Sequence, residues 1–378
     1  VLAKSIKPLG KELDFFPIVT QFSPVPSGKG WRVEKEALDD KKLRDTIDNY
    51  LAHGFTGIET GVNRPDTEKA FILNYAQSKG MILTHHAGAL ELFGRDKPPA
   101  PSVYSPEYPV KVRANAEKAL SPLKNYPRLY NVFPYQDEPF HWGPASFDYG
   151  PDEKRAFRER YGYDLPPDLD SIKGDPVKWL DVINFRSDNF PAGWRTTFKT
   201  VKDIDPDFVV TLTHDSHNTF GAGHGSHSEL AIDDVYHWGG DFTDMFVYDI
   251  YPYMSIDFRF GAPSELPLPR MSQFHYTFAQ MRNLAYSHKK KLGFWVETYN
   301  PAWFKGFINE DLRKKDWIEQ EMTMSAVAAG SDYILTGYHV TIDSLHWETF
   351  GRGNRLIQKT GGDILKTRRV RANACMLF

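Results

Sequence analysis

FTGIETGVNRPDTEKAFILNYAQSKGMILTHH, residues 55–86, holds the repeating unit of the chain. Phe55 to Glu59 is a short, largely apolar run of the length expected for a buried strand. Asp66 to Lys79 reads as a helix, and Gly80 introduces a second strand, Met81 to His85. Strand, helix and strand in succession form a βαβ unit, whose two strands run parallel because the helix carries the chain back along the sheet. Upstream, Phe15, Phe16, Pro17, Ile18 and Val19 read as strand one. Residues 39–53 form a helix with Leu43, Ile47, Tyr50 and Leu51 on one face, aspartates at its start and Gly54 at its end.

Downstream the alternation continues. After a proline-rich loop at 98–109, a helix to about Lys124 leads into strand four, Leu129 to Tyr135, which runs into Gln136, Asp137, Glu138 and Pro139. The next connection is the longest, with a short helix near 151–160 and another at about 176–203, and it reads as an insertion beside the strand ends. Strands five (Phe208 to Thr213), six (Met245 to Tyr251), seven (Leu292 to Val296) and eight (Tyr333 to Thr336) follow. A helix carrying Phe274, Phe278, Met281 and Leu284 precedes strand seven, and one at 310–329, with Trp317, Ile318 and Met322 inward, follows it. About eight such units predict an α/β fold, a closed (β/α)8 TIM barrel with an insertion between strands four and five. A doubly wound open sheet is the runner-up; its dinucleotide-binding form lacks the GxGxxG that would follow strand one.

Composition narrows the function. With 46 basic and 49 acidic residues the formal net charge is −3, so nothing draws the chain to nucleic acid or an anionic membrane, and neither is expected as a partner. Charged residues at 25% and hydrophobic residues at 41% are those of a soluble globular chain. A single domain over residues 1–378 is expected, and the end at Cys375, Met376, Leu377 and Phe378 leaves room for further domains. The lone Cys375 forms no internal disulfide and leaves the compartment open, with a secreted or periplasmic setting favoured. Homo-oligomerisation is also left open. Aromatic residues reach 14%, a share that suits both core packing and stacking on sugars.

In a barrel of this kind the reacting groups project from the carboxyl ends of strands. Those positions hold Glu59, His85 and His86, Asp137 and Glu138, His214 and Asp215, Tyr251 and Tyr253, and Glu297. Cleaving a glycosidic bond needs a proton delivered to the leaving oxygen and a carboxylate at the anomeric carbon. Glu138 after strand four and Glu297 after strand seven face each other across the mouth and supply the two.

Glutamates at those two strand ends are the signature of the clan A retaining glycoside hydrolases, and the chain resembles that clan. YQDEP at 135–139 looks like the acid/base motif and WVET at 295–298 like the nucleophile motif. RERYG at 158–162 adds a likeness to the catalytic domain of family 42 β-galactosidase-type enzymes. The resemblance implies a carbohydrate substrate, no cofactor and no metal, with Glu138 as general acid/base and Glu297 as nucleophile. It further implies that Tyr251 or Tyr253 hydrogen-bonds the nucleophile and that Trp347, beyond strand eight, is the sugar platform. The clan has asparagine where this chain has Asp137, and an acidic neighbour raises the proton affinity of Glu138. An Asp–Glu pair also resembles the substrate-assisted hexosaminidases, in which the sugar's acetamido group is the nucleophile.

Other readings compete at several positions. The histidine-rich loop with His214, His217, His224 and His227 suggests a metal-dependent amidohydrolase, but strand one supplies no ligand pair, so sugar hydrogen bonding by His214 is preferred. His85 and His86 point to opposite faces of their strand, so one faces the barrel interior; His85 is taken as the substrate-binding one. Trp142 and Trp303, shortly after the two glutamates, are candidates for stacking on a sugar, and Glu59 for orienting it. A catalytically silent carbohydrate-binding barrel would not need both glutamates.

Overall fold

The computed structural model describes residues 6–9, 13–22, 38–60, 65–88, 90, 101–135, 150–168, 170–215, 239–250, 278–279, 281–297, 317–337 and 344–366. Eight strands close on themselves in chain order: β1 (Ile18–Gln21), β2 (Gly57–Thr60), β3 (Ile82–His86), β4 (Leu129–Phe133), β5 (Val209–Asp215), β6 (Met245–Ile250), β7 (Lys291–Glu297) and β8 (Tyr333–Gly337). Every neighbouring pair is parallel, and β8 returns to β1 with Ile334 opposite Ile18. Closure excludes the open doubly wound sheet, and the fold is a (β/α)8 barrel.

Among the described residues the bounded helices are α1 (Asp40–Ala52), α2 (Asp66–Ser78), α3 (Glu107–Leu120), α4 (Pro151–Tyr161), α5 (Pro176–Ile204), α6 (Ile318–Ala328) and α7 (Ser344–Lys366), and residues 278–279 and 281–287 are helical as well. The Asp39 side chain caps α1 by accepting from the Lys42 amide at 2.7 Å, which satisfies one of the donors a helix start leaves open. Gly54 then turns the chain with φ +78°, and a Cβ there would stand 2.8 Å from the Arg355 amide nitrogen of α7. Both the left-handed backbone and the close approach of α7 require glycine.

Several boundaries move from their sequence-based expectation, for local reasons. β4 stops at Phe133 rather than Tyr135 because Pro134 has no N–H for the ladder. Helix α3 begins at Glu107, inside the stretch read as loop, since Pro109 falls in its first turn, where a missing N–H costs nothing. β5 extends to Asp215 and β7 to Glu297. Helix α7 was not delimited from sequence; its buried face, with Trp347, Phe350 and Ile357, covers β1 and β2.

Side chains alternate between two cores. Ile18, Ile58, Leu83, Val132, Leu212, Phe294 and Ile334 pack outward under the helices. Val19, Ile82, Phe133, Val247, Trp295, Tyr333 and Leu335 fill the barrel. Both sets lie below a tenth exposed, and each large apolar side chain so buried is worth roughly 1.5–3 kcal/mol. A polar tie crosses the interior at mid-height. Thr84 Oγ1 donates to Asn131 Oδ1 at 2.6 Å and Asn131 Nδ2 donates to Thr211 Oγ1 at 3.0 Å. The single Thr84 proton being used, Tyr333 O–H donates to Thr84 at 3.1 Å. This pairing satisfies polar groups that burial would otherwise penalise.

Polar side chains tie the backbone together at the amino end of the barrel. Arg128 donates to the carbonyls of Met81, Gly80 and Lys7 at 2.9, 2.6 and 3.1 Å. Asp244 and Asp332 each accept from the amide of the second residue of the preceding strand, Val210 N and Leu292 N, both at 2.9 Å. Between β4 and β5, α4, a 3-10 turn at Asp170–Ile172 and the start of α5 share a small core of Phe157, Ile172, Val182 and Phe185. Among the described residues no helix is long and apolar enough to cross a membrane.

Candidate active site

In barrels of this kind a ligand site is built at the carboxyl ends of the strands. Eight strands staggered by about one residue each bring the inward side chains of alternate strands to one height. Val19, Thr84, Thr211 and Gly293 occupy one such level, and two residues further along the same strands stand Gln21, His86, Thr213 and Trp295. Glu59, Phe133, Val247 and Leu335 belong to the interleaved level on the even strands. Above the Gln21–Trp295 level, the next positions on β5 and β7 are Asp215 and Glu297.

The contacts confirm this order. His86 lies 5.0 Å from the Phe133 ring and 6.3 Å, edge to face, from Trp295, all three inside the barrel. A Cβ at Gly337 would stand 2.6 Å from Gln21 Oε1 and 3.1 Å from Trp295 Nε1. Glycine at 337 therefore lets Gln21 and Trp295 pack directly against the β8 backbone, an approach that a side chain there would block.

His86, not His85, faces the interior. His85 sits at the outward position of β3, where Lys69 of α2 is close enough to oppose its protonation. The choice of His85 as the substrate-binding histidine is thereby corrected: counting from Thr84, which is tied across the barrel to Asn131, only residue 86 shares the inward face. Burial holds both imidazoles down to about 4, helped by Lys69 for His85 and by His85 for His86. His86 is thus a neutral hydrogen-bonding group at neutral pH.

Glu59 is inward on β2 and 1% exposed, near Tyr333, so a carboxyl group does reach the barrel interior from the second strand. Glu297 is the final residue of β7, opposite Gly337 of β8, at the carboxyl end; its side chain lies outside the described part of the structure. His214 takes the β5 register position alternate to Thr213, shared with the outward Leu212, while Asp215 shares that of Thr213. The side chains of His214 and Asp215 lie outside the described part of the structure. Glu138, Asp137, Tyr251, Tyr253, Trp142 and Trp303 lie outside the described residues, as do His217, His224 and His227.

Trp347 is not a platform at the mouth. Its ring stacks on Phe55 at 5.4 Å and tilts against His53 at 4.8 Å, in the helix layer beside the amino end of β2, and it is 5% exposed. No face is left for a sugar. The indole belongs to the packing of α7 against α1, with Tyr50 and Phe350 completing the cluster.

Gln21, Thr213 and Trp295 were not singled out from sequence. Their signal is parity along the strand, and it is hidden because parallel barrel strands are apolar on both faces. Asp332 illustrates the opposite trap. Burial lifts its carboxyl to about 6 against the Leu292 amide and Lys291, which lower it, yet it lies at the amino end and not at the mouth.

These shifts predict an acid-labile fold. Between pH 6.5 and about 4 the unfolded chain protonates His85 and His86 while the folded chain does not, so stability present above 6.5 falls as pH drops, by up to about 3 kcal/mol for each histidine. Asp332 acts the other way between about 6 and 3.8, because the folded state there holds its proton more tightly; two groups outweigh one. Urea unfolding at pH 7 and pH 4.5 should show the loss, and a His86→Gln chain should lose less. Equal midpoints at the two pH values would contradict the burial of these imidazoles.

No protein-family model matches the sequence, and no curated protein sequence matches it. Solved structures do match in fold. A β-galactosidase from the psychrophilic Marinomonas ef1 superposes with a TM-score of 0.62 at 12% identity, over 92% of this chain and 61% of that one. A catalytic mutant of a family 42 β-galactosidase from G. stearothermophilus gives 0.65 at 13%, over 95% and 58%. A β-galactosidase from Bacillus circulans sp. alkalophilus gives 0.57 at 16%, over 94% and 57%. The chain spans about three fifths of the length of these solved chains.

Proposed function

We propose that this chain is the catalytic barrel of a retaining glycoside hydrolase acting on a β-linked glycan or oligosaccharide. The observation that carries the reading is the position of Glu297, the last residue of β7 at the carboxyl end of a closed parallel barrel, directly above an inward layer of polar side chains. The likeness in fold to β-galactosidases supports it.

In this reading Glu297 attacks the anomeric carbon as Glu138 protonates the departing glycosidic oxygen, giving a covalent glycosyl-enzyme. Glu138, now a carboxylate, takes a proton from water, and the water displaces Glu297 with net retention. Asp137 beside Glu138 favours its protonated form before the first step. Tyr251 or Tyr253 holds Glu297 ionised by donating a hydrogen bond. Trp142 and Trp303 stack on the sugar, and Glu59 accepts from a hydroxyl of the ring. The α4–α5 segment is read as an insertion bordering the cleft.

A panel of aryl β-glycosides, with proton NMR of the first product formed, tests the proposal. Hydrolysis with the β-anomer appearing first is expected, unaffected by a chelator. An α-anomer first would show inversion, and loss of activity to the chelator would favour the metal-dependent amidohydrolase.

A further inference from the structure

The layer formed by Gln21, His86, Thr213 and Trp295 has a property that packing does not explain. Three of its polar atoms, His86 Nε2, Thr213 Oγ1 and Trp295 Nε1, are buried without a hydrogen-bond partner among the described residues. Thr213 and Trp295 are 4% and 2% exposed. One level below, Thr84, Asn131, Thr211 and Tyr333 satisfy one another completely enough to cross the barrel, so the fold does pair its interior polar groups where it closes them off. A buried polar group left open at the level beneath the mouth calls for a ligand atom.

The chemistry of the layer restricts that atom. An indole N–H only donates, a threonine hydroxyl donates and accepts, and a neutral imidazole offers one or the other at Nε2. A hydroxyl group meets all three demands, since it gives one hydrogen bond and takes two. A carboxylate or phosphate would need a cation, and the layer holds none, with His86 neutral. An apolar group would leave all three atoms unpaired.

We propose that this layer is a hydroxyl-binding floor, on which a hydroxyl of the sugar ring held between the two catalytic glutamates is read by Thr213, Trp295 and His86. The proposal rests on the glycosidase reading and deepens it, because it makes substrate choice depend on one ring hydroxyl directed down the barrel axis. A site built to hydrogen-bond a hydroxyl rejects an analogue lacking it far more strongly than an apolar pocket rejects a missing methylene. The same atoms would suit an ordered water that no sugar displaces, and the two occupants give different results.

The test pairs enzyme variants with ligands. In a Glu297→Gln background, which binds without turning over, calorimetry compares the best aryl glycoside found by the panel with its monodeoxy analogues. Thr213→Val, which removes a hydroxyl at nearly constant shape, should weaken the parent glycoside by about 10- to 100-fold. It should leave unchanged the affinity for the one analogue lacking the hydroxyl that reaches the floor, while Thr213→Ser restores the parent. Trp295→Phe should show the same dependence on the same analogue. Equal losses on the parent and every analogue would mean that the floor holds a water, and would overturn the assignment. Unchanged affinities would overturn it as well. Failure of the wild-type chain to cleave any glycoside would instead sink the glycosidase reading, a separate outcome read in a separate assay.

Discussion

Glu297→Gln should abolish turnover while leaving the fold in place. The exchange replaces one carboxylate oxygen by an amide nitrogen of nearly equal size, so the strand end keeps its shape, but an amide cannot form the glycosyl-enzyme or balance positive charge at the anomeric carbon. Losing a nucleophile elsewhere costs several orders of magnitude, and about four or more in kcat is expected here. The thermal midpoint should stay close to that of the wild type, because the exchange leaves the backbone of β7 in its ladders to β6 and β8. Full activity in this variant would end the retaining reading with Glu297 as nucleophile. It would turn attention to the substrate-assisted alternative, in which Asp137 and Glu138 do the chemistry and only N-acetylated sugars react.

Glu138→Ala should divide substrates by leaving group. A dinitrophenolate departs without a proton, so kcat/KM on such glycosides should fall by less than about tenfold, whereas oligosaccharides and alkyl glycosides should lose about 10²- to 10⁴-fold. The second step still lacks its general base. Glycosyl-enzyme should therefore accumulate on the activated substrate and appear as a burst of released phenolate, followed by a slow steady state. Uniform losses across leaving groups, with no burst, would show that Glu138 is not the group that donates the proton. The two variants fail in complementary ways: one before any product appears, the other after the first.

The sequence alone determined the class of fold and pointed to the strand ends as the place to search for the chemistry. The βα alternation is a local signal, written in short apolar runs, helical periodicity and the glycines and prolines between them, so each unit announces itself without reference to the others. Its repetition leaves closure as the economical arrangement, and the barrel in turn says which end of every strand to search. Glu59 was found that way, and the structure buries it inside the barrel.

The direction of individual side chains was decided by the tertiary structure. Ile82, Leu83, Thr84, His85 and His86 give no hint of which face is interior, because both faces of a barrel strand are apolar and period two leaves no trace. Only the tie from Thr84 to Asn131 and Tyr333, residues on strands far away in sequence, fixes the parity and sends His86 rather than His85 inward. Trp347 likewise reads as well for a sugar platform as for a core residue until Phe55 and His53 are seen against its faces. The floor is the extreme case. Gln21, His86, Thr213 and Trp295 sit on four different strands and become one layer only when the stagger of a closed barrel brings them to the same height, a relation that no local window of sequence contains.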